Sequence, residues 1–402
     1  MDSCQKRRVL MAWELGGGMG HAARFAAFAD GLSAHAQPYI ALRDLSQAAS
    51  MAGDASLTLL QAPLWLPEAR GLPEAANYAE LLFRAGFLDP VRLKAVVCAW
   101  RSLFNLVKPD LLLLDHAPTA LLAARGLPFK KALIGTGFFT PPPISPMPPF
   151  RIWEKTAPAR LQQAESIALN SANHVLESMG APTLGCLADL FEVDENFLTT
   201  WRELDHYPQR PESTRYWGPE AMLTSGVEAL WPQGKDATVF TYLTAGYPHL
   251  EAVLDVLKAA PVRTLAYISG LSPAARASLE APNLRISAEP VRLDEARAQA
   301  DLVVCHASSG TVSAVLQAGK PVVMFPLHAE QYLFALRVVE TGAGVLLEPN
   351  VVLSKLPKVL QKLSGDCSER QAAVLLAQKY AAQHMPGTIN RIVARCAELL
   401  DT

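Results

Sequence analysis

The chain has 402 residues, half of them apolar and 18% charged, with a formal net charge of −2. Such a length exceeds one ordinary core and predicts two domains, while the composition excludes a disordered chain. Near-neutral charge without a long basic run excludes nucleic acid as a main partner.

In chain order, the first apolar run, "RRVLMAWEL", predicts a strand. Lys6, Arg7 and Arg8 precede it as in a signal peptide, but Glu14 and the glycines cut the run short and no small-residue cleavage site follows. "HAARFAAFADGLSAHA" predicts a helix, and "PYIALRD" and "SLTLLQAP" predict strands. "AWRSLFNLVK" leads into "PDLLLLDHAP", and "KKALIGTGF" follows. Near-continuous apolar strands separated by helices predict a parallel sheet covered on both faces. "TPPPISPMPPF" (140–150) is too rich in proline for a helix or an inner strand and predicts a loop at a strand end.

Residues 201–220 lack periodicity and predict the connection between halves. The alternation then restarts with "ATVFTYLTAG", the helix "PHLEAVLDVLKAA", "RTLAYISG", "LRISAEP", "DLVVCHAS", "PVVMFP" and "AGVLLEP", and the C-terminal end is helical only. These patterns predict an α/β protein of two doubly wound, Rossmann-like halves. Parallel sheets place ligands at the carboxyl ends of their strands, so two such halves facing each other make a cleft. No uncharged apolar run reaches the roughly 18 residues that a membrane span needs. Cys4, Cys98, Cys186, Cys305, Cys367 and Cys396 are scattered, with no C-x-x-C, which points to a reduced cytoplasm. Cys305 reads as a buried strand residue.

The first candidate site is "ELGGGMGHAARF" (14–25), where a strand runs into Gly16, Gly17, Gly18 and Gly20 and then into His21. Gly18, Gly20 and Ala23 satisfy G-x-G-x-x-A, and Asp44 ends the next strand as a ribose-binding acid would. Glycines also serve simply to turn a strand into a helix. His21 crowds the space of a pyrophosphate, and suits instead a base aimed into the cleft. A base needs a partner that fixes its tautomer and stabilises the imidazolium. Asp115, closing "PDLLLLD", falls on the same strand-end edge, although an aspartate there also serves as a turn residue. Strand alternation predicts that His116 points to the other side.

The second candidate site lies in "DLVVCHASSGTVSAVLQAGKPVVMFPLHAEQYLFALRVVETGAG" (301–344). A strand ends at His306, small residues follow, and a helix begins near Thr311. Backbone N–H groups at that helix start, with the hydroxyls of Ser308, Ser309 and Thr311, form an anion cradle, to which His306 adds a donor.

Here the sequence resembles the GT-B glycosyltransferases of the UDP-glycosyltransferase and antibiotic-macrolide type. In that resemblance His306 matches the diphosphate-binding histidine, and Ser308, Gly310 and Thr311 match the phosphate loop beside Ser309. Gly319 and Pro321 match the G-x-P turn, and Glu330 and Gln331 the Asp-Gln pair that holds the donor sugar. His21 falls on the family's catalytic base and Asp115 on its partner. The loop with Gly17, Gly18 and Gly20 also resembles that of the peptidoglycan N-acetylglucosaminyltransferase that makes lipid II. Ala314 stands where the family usually has a ribose-gripping glutamate, and Phe334 where it commonly has asparagine.

The resemblance implies an acceptor-binding domain over 1–215, a nucleotide-sugar domain over 216–380 and a helix over 381–402 that crosses back. It implies inverting transfer of a sugar from a nucleotide diphosphate donor, UDP-hexose first and a dTDP-deoxysugar second. No D-x-D occurs, so no metal ligand and no cofactor are expected, and the helix start after His306 takes the diphosphate charge. A sugar-nucleotide epimerase and a non-catalytic nucleotide-sugar-binding protein are the competing readings. A dinucleotide-dependent oxidoreductase leaves residues 306–331 without a job. The aromatic and proline-rich stretches "APLWLPEARGLPEAANYAELLFRAGF" and "TGFFTPPPISPMPPFRIW" suit a small apolar or aromatic acceptor, or a lipid-linked one with peripheral contact at a membrane surface. They equally suit loops covering their own core.

Overall fold

The computed structural model describes residues 6–17, 20–51, 57–67, 70–220, 226–381 and 387–402; Cys4 and Gly18 lie outside these described residues. The chain forms two compact units, one of Met1–Thr200, Tyr207–Trp217 and Thr388–Thr402, the other of Trp201–His206 and Gly218–Gly387. Residues 201–220 are therefore shared between the units.

The first unit holds β1 (Arg7–Trp13), β2 (Ala36–Leu42), β3 (Thr58–Gln61), β4 (Leu111–Asp115), β5 (Lys130–Gly135) and β6 (Glu195–Leu198), with helices α1 (Gly20–Leu32), α2 (Tyr78–Leu82), α3 (Pro90–Val107), α4 (Pro118–Ala123) and α5 (Pro158–Ser178). The strands pair in parallel in the order β3-β2-β1-β4-β5-β6. That is the doubly wound order, whose switch point lies between β1 and β4. The first five strands follow the predicted runs. The short edge strand β6 had no signal of its own. Helix starts follow local chemistry: Asp89 accepts the Arg92 N–H at 3.0 Å and Pro90 occupies the first turn of α3.

The proline-rich loop is tied to its own unit. Glu165 on α5 accepts from Ser145 Oγ at 2.6 Å and Met147 N–H at 2.7 Å, and the Phe150 N–H donates to the Ala76 carbonyl at 2.7 Å. Met147 and Phe150 are buried, while Ile152 and Trp153 beyond them are exposed.

The second unit holds β7 (Ala237–Thr244), β8 (Val262–Ser269), β9 (Leu284–Ser287), β10 (Leu302–Cys305), β11 (Val322–Met324) and β12 (Gly344–Leu346), all six on predicted runs. Around them lie α6 (Leu250–Ala259), α7 (Pro273–Leu279), α8 (Leu293–Gln299), α9 (Ser309–Gln317), α10 (Ala329–Glu340), α11 (Val352–Leu363) and α12 (Ser368–Tyr380). The parallel order β12-β11-β10-β7-β8-β9 repeats the first sheet's topology, with its switch point between β7 and β10. Both faces of this sheet are covered. On β10, Val303 and Cys305 join one core and Leu302 and Val304 the other, which is why the run reads as continuously apolar.

The last helix, α13 (Thr388–Asp401), packs on α1 in the first unit through Ile392, Val393, Cys396, Leu399 and Leu400. At the crossing, a Cβ on Gly31 would lie 2.9 Å from Val393, so glycine permits the approach. Among the described residues no helix is long and apolar enough to cross a membrane.

Candidate functional site

In the first unit, β1 and β4 lie side by side at the switch point, with Trp13 opposite Asp115. The first chemistry therefore sits where the sheet's topology leaves a crevice. After Trp13 the chain is anchored: the Leu15 N–H donates to the His116 carbonyl at 3.0 Å. Glu14 turns inward and accepts from Thr119 N–H (3.1 Å), Thr119 Oγ1 (2.8 Å) and Ala120 N–H (2.6 Å) at the start of α4. Burial, partly offset by those donors, pushes its carboxyl up to about 7.

His21 is the second residue of α1, and its Nδ1 lies 2.7 Å from Asp115 Oδ2. The imidazole stacks on Trp13, with ring centroids 4.8 Å apart and planes at 17°. Asp115 is buried. Burial pushes its carboxyl up, but Arg24 and His21 together outweigh that and hold it well below the usual carboxylate range. Arg24 Nη1 reaches the same Oδ2 at 2.6 Å. The sequence reading found the His21–Asp115 pair and missed Arg24, whose signal was its place three residues after His21 on one helix face.

Of the glycines in this loop, Gly16 is the one the imidazole approaches. Among the described residues, a Cβ on Gly17 or Gly20 would meet nothing within 4 Å. Gly16 has φ +93°, and a Cβ there would lie 3.0 Å from His21 Nε2 and 3.7 Å from His116 Nδ1. The close approach is therefore made by the imidazole itself, over the Gly16 backbone.

His116 corrects the expectation from alternation. The strand ends at Asp115, and His116 adopts φ +46°, which brings its ring back beside Gly16 and His21. The ring is buried and stacks on Phe139 at 3.4 Å, and neither ring nitrogen has a hydrogen-bond partner among the described residues. Burial and the nearby His21 hold it well below the usual imidazole range, so it is neutral. It lines a small cavity with Tyr78, Leu121, Gly135, Phe139 and Phe191. Asp44 does not face such a space. It is half-buried and accepts from Ser46 N–H (2.9 Å), Ser46 Oγ (2.6 Å) and Gln47 Nε2 (3.2 Å), as a turn residue does.

In the second unit, His306 follows β10 and meets the end of β7 beside it. Its Nδ1 lies 2.8 Å from the Phe325 carbonyl, and its Nε2 accepts the Thr244 N–H at 3.1 Å. Burial lowers its pKa, and this pattern fits the neutral tautomer with the proton on Nδ1. Both ring nitrogens are thus in use within the unit, which leaves no free N–H on this ring for a phosphate oxygen. No local pattern marks Thr244, because its β7 belongs to a distant stretch of sequence.

Ala307 then takes φ +64° to turn the chain into α9. The N–H groups of Ser309, Gly310 and Thr311 precede the first intrahelical bond, from Val312 N–H to the Ser308 carbonyl. Ser308 Oγ donates to Thr311 Oγ1 at 2.9 Å, and Thr311 is buried. The loop therefore offers backbone donors and the Ser309 hydroxyl more readily than that of Thr311. Glu330 stands in the first turn of α10, and Gln331 Oε1 accepts the Leu327 N–H at 2.8 Å. Ala314 and Phe334 are both buried core residues. Cys305 is buried as expected, and burial pushes its thiol up to about 12.

The model of the EryCIII-like C-terminal domain, from erythromycin biosynthesis protein CIII-like proteins, matches residues 275–399. A sterol 3-beta-glucosyltransferase of Vanderwaltozyma polyspora is 37% identical over 84 residues, which is 21% of this chain and only 7% of that protein. A PGL/p-HBAD biosynthesis glycosyltransferase of Mycobacterium tuberculosis is 25% identical over 315 residues, covering 73% of this chain and 72% of its own. Among solved structures, the glycosyltransferase VinC in complex with dTDP matches with a TM-score of 0.69 at 17% identity, over 98% of this chain and 99% of that one.

Proposed function

We propose that this chain, which has the GT-B fold and whose residues 275–399 carry an EryCIII-like C-terminal domain, is an inverting glycosyltransferase. The observation that carries the reading is the His21–Asp115 pair at 2.7 Å, with Gly16 leaving Nε2 uncovered by any side chain of its own.

Asp115 accepts the Nδ1 proton of His21, so Nε2 presents its lone pair. An acceptor hydroxyl gives its proton to Nε2 as its oxygen attacks the anomeric carbon of the donor, from the face opposite the diphosphate. The new glycosidic bond forms as the bond to the diphosphate oxygen breaks, and the configuration inverts. The imidazolium so formed is held by the Asp115 carboxylate and by the face of Trp13. Positioned general-base catalysis contributes about 10²–10⁴ in rate.

In the second unit the N–H groups of Ser309, Gly310 and Thr311 at the start of α9 hold the leaving diphosphate. On this reading the helix start, not a metal, carries the leaving charge. Glu330 and Gln331 read the sugar's hydroxyls. The names of the relatives support an apolar acceptor such as a sterol-like alcohol. We take UDP-hexose as the first donor and, given the dTDP complex of VinC, dTDP-sugars as the second. With Ala314 offering no carboxylate to ribose, discrimination between the two is expected to stay below about 10³-fold.

The test is release of free nucleoside diphosphate when the chain is incubated with UDP- or dTDP-glucose and a hydroxylated apolar acceptor. Stoichiometric release with glycoside formation supports the proposal. Epimerised donor, or donor bound without turnover across an acceptor panel, would sink it.

A further inference from the structure

We propose that Arg24 is a positioning residue of the base, gripping the same oxygen of Asp115 as His21 and keeping the imidazole in its proton-accepting form. The inference rests on the reading of His21 as the base.

Arg24 Nη1 and His21 Nδ1 approach Asp115 Oδ2 at 2.6 and 2.7 Å. The Arg24 and Asp115 side chains are only 15% and 2% exposed, so water screens the triad little. The pairing joins α1 to the end of β4 and is not a surface pair within one helix. It fixes Oδ2 from a second direction and so fixes the orientation of the imidazole bonded to it.

The charges explain why a third group is useful. A buried carboxylate alone would favour the imidazolium, the form that cannot accept a proton. A guanidinium on the same oxygen opposes that charge. The other groups around His21 do not replace it. His116, after β4, is neutral because of its burial. Glu14, after β1, is bound to the start of α4 with its carboxyl pushed up to about 7. Arg43, after β2, donates through Nη1 to the Glu14 carbonyl at 3.1 Å. Arg43 keeps its charge but spends this contact on a neutral carbonyl, whereas Asp115 bears the charge that touches the imidazole and Arg24 the charge that touches the same oxygen of Asp115. Removing Arg24 leaves the carboxylate opposed by His21 alone.

The experiment titrates the His21 ring by NMR, through its Cε1–H resonance assigned by loss in His21→Ala, in the wild type, Arg24→Gln and Arg24→Lys. The pH profile of kcat/KM is recorded for the same three chains. Arg24→Gln should raise the His21 midpoint by about one pH unit, and move the acid limb of the profile up with it. Arg24→Lys keeps the charge and should hold the midpoint near that of the wild type. Arg24→Met serves as a second neutral variant should the glutamine chain not fold. An unchanged midpoint in the neutral variants would overturn the proposal, as would a lysine variant shifted as far as the glutamine one. A rate loss with an unmoved acid limb would reduce Arg24 to a structural tie and overturn it too. If His21→Ala retains turnover, the base reading fails separately, while the NMR midpoint still reports the coupling.

Discussion

His21 Nε2 lies 3.0 Å from where a Cβ on Gly16 would stand. That distance is shorter than an ordinary contact, and φ +93° at Gly16 is strained for any other residue. Gly16→Ala should therefore displace the imidazole and lower turnover by about 100-fold, since misplacement by an ångström can cost that much. Gly17→Ala, whose Cβ meets none of the described residues within 4 Å, should be nearly silent in a thermal melt and in turnover. Equal losses in the two variants would mean that the loop is merely rigid.

His21→Ala should abolish transfer while nucleoside diphosphate still binds, measured by calorimetry, because the base and the anion cradle belong to different units. Asp115→Asn should lower kcat by about 10²–10⁴. Asparagine offers either an acceptor or a donor to Nδ1, so it no longer fixes the tautomer. A rate within threefold of wild type in either variant would remove the pair from the mechanism.

Stability should respond to pH through Glu14 and Asp115 in opposite directions. Glu14 ordinarily titrates near 4.5 and is raised to about 7 when folded. The folded chain keeps its proton where the unfolded chain has lost it, so this contribution is full below about 4.5 and is lost as pH rises to about 7. It amounts to about 3 kcal/mol. The lowered Asp115 contributes above its ordinary 3.8 and is lost as pH falls below that. Between pH 5 and 8 the melting temperature of wild type should fall relative to that of Glu14→Gln, and parallel curves would show Glu14 ionised throughout.

His306→Ala should weaken nucleoside diphosphate binding by about tenfold, with the effect arriving through the loops that the ring ties together. The Thr244 N–H and the Phe325 carbonyl lose their partner, and leaving such groups unpaired costs about 1–3 kcal/mol. The melting temperature should fall with the affinity. Loss of affinity alone would instead point to direct contact with the phosphate. Activity should also survive excess chelator, and strict dependence on added magnesium would refute the helix start as the carrier of the leaving charge.

Ala307 stands at φ +64° beside the anion cradle. An L-residue there costs about 1–2 kcal/mol, part of which glycine returns as chain entropy. Ala307→Gly should raise stability by about 0.5–1 kcal/mol in urea melts. A loss of stability would show that the alanine methyl, buried in the core, outweighs the strain.

The strands and most helices were legible because their signals are local. "LLLLD" and "LVVC" are apolar throughout since both faces of a parallel sheet are covered, and a proline or an aspartate at a helix start acts within one turn. The three residues that head the candidate site were legible from equally local signals: Asp115 closes an apolar run, His306 follows one, and His21 opens a helix after a glycine-rich stretch. What no local pattern carries is which strands become neighbours. β1 lies beside β4 and β7 beside β10, although other strands and helices intervene in sequence. Only that arrangement sets Asp115 between His21 and Arg24, turns His116 back over Gly16, and puts the Thr244 N–H against His306. Even β6 waited for β5 to supply its hydrogen bonds. The sequence alone determined most of the strands and helices and where the candidate site side chains leave them. The pairing of distant strands, settled by packing the whole sheet at once, decided which of those side chains meet.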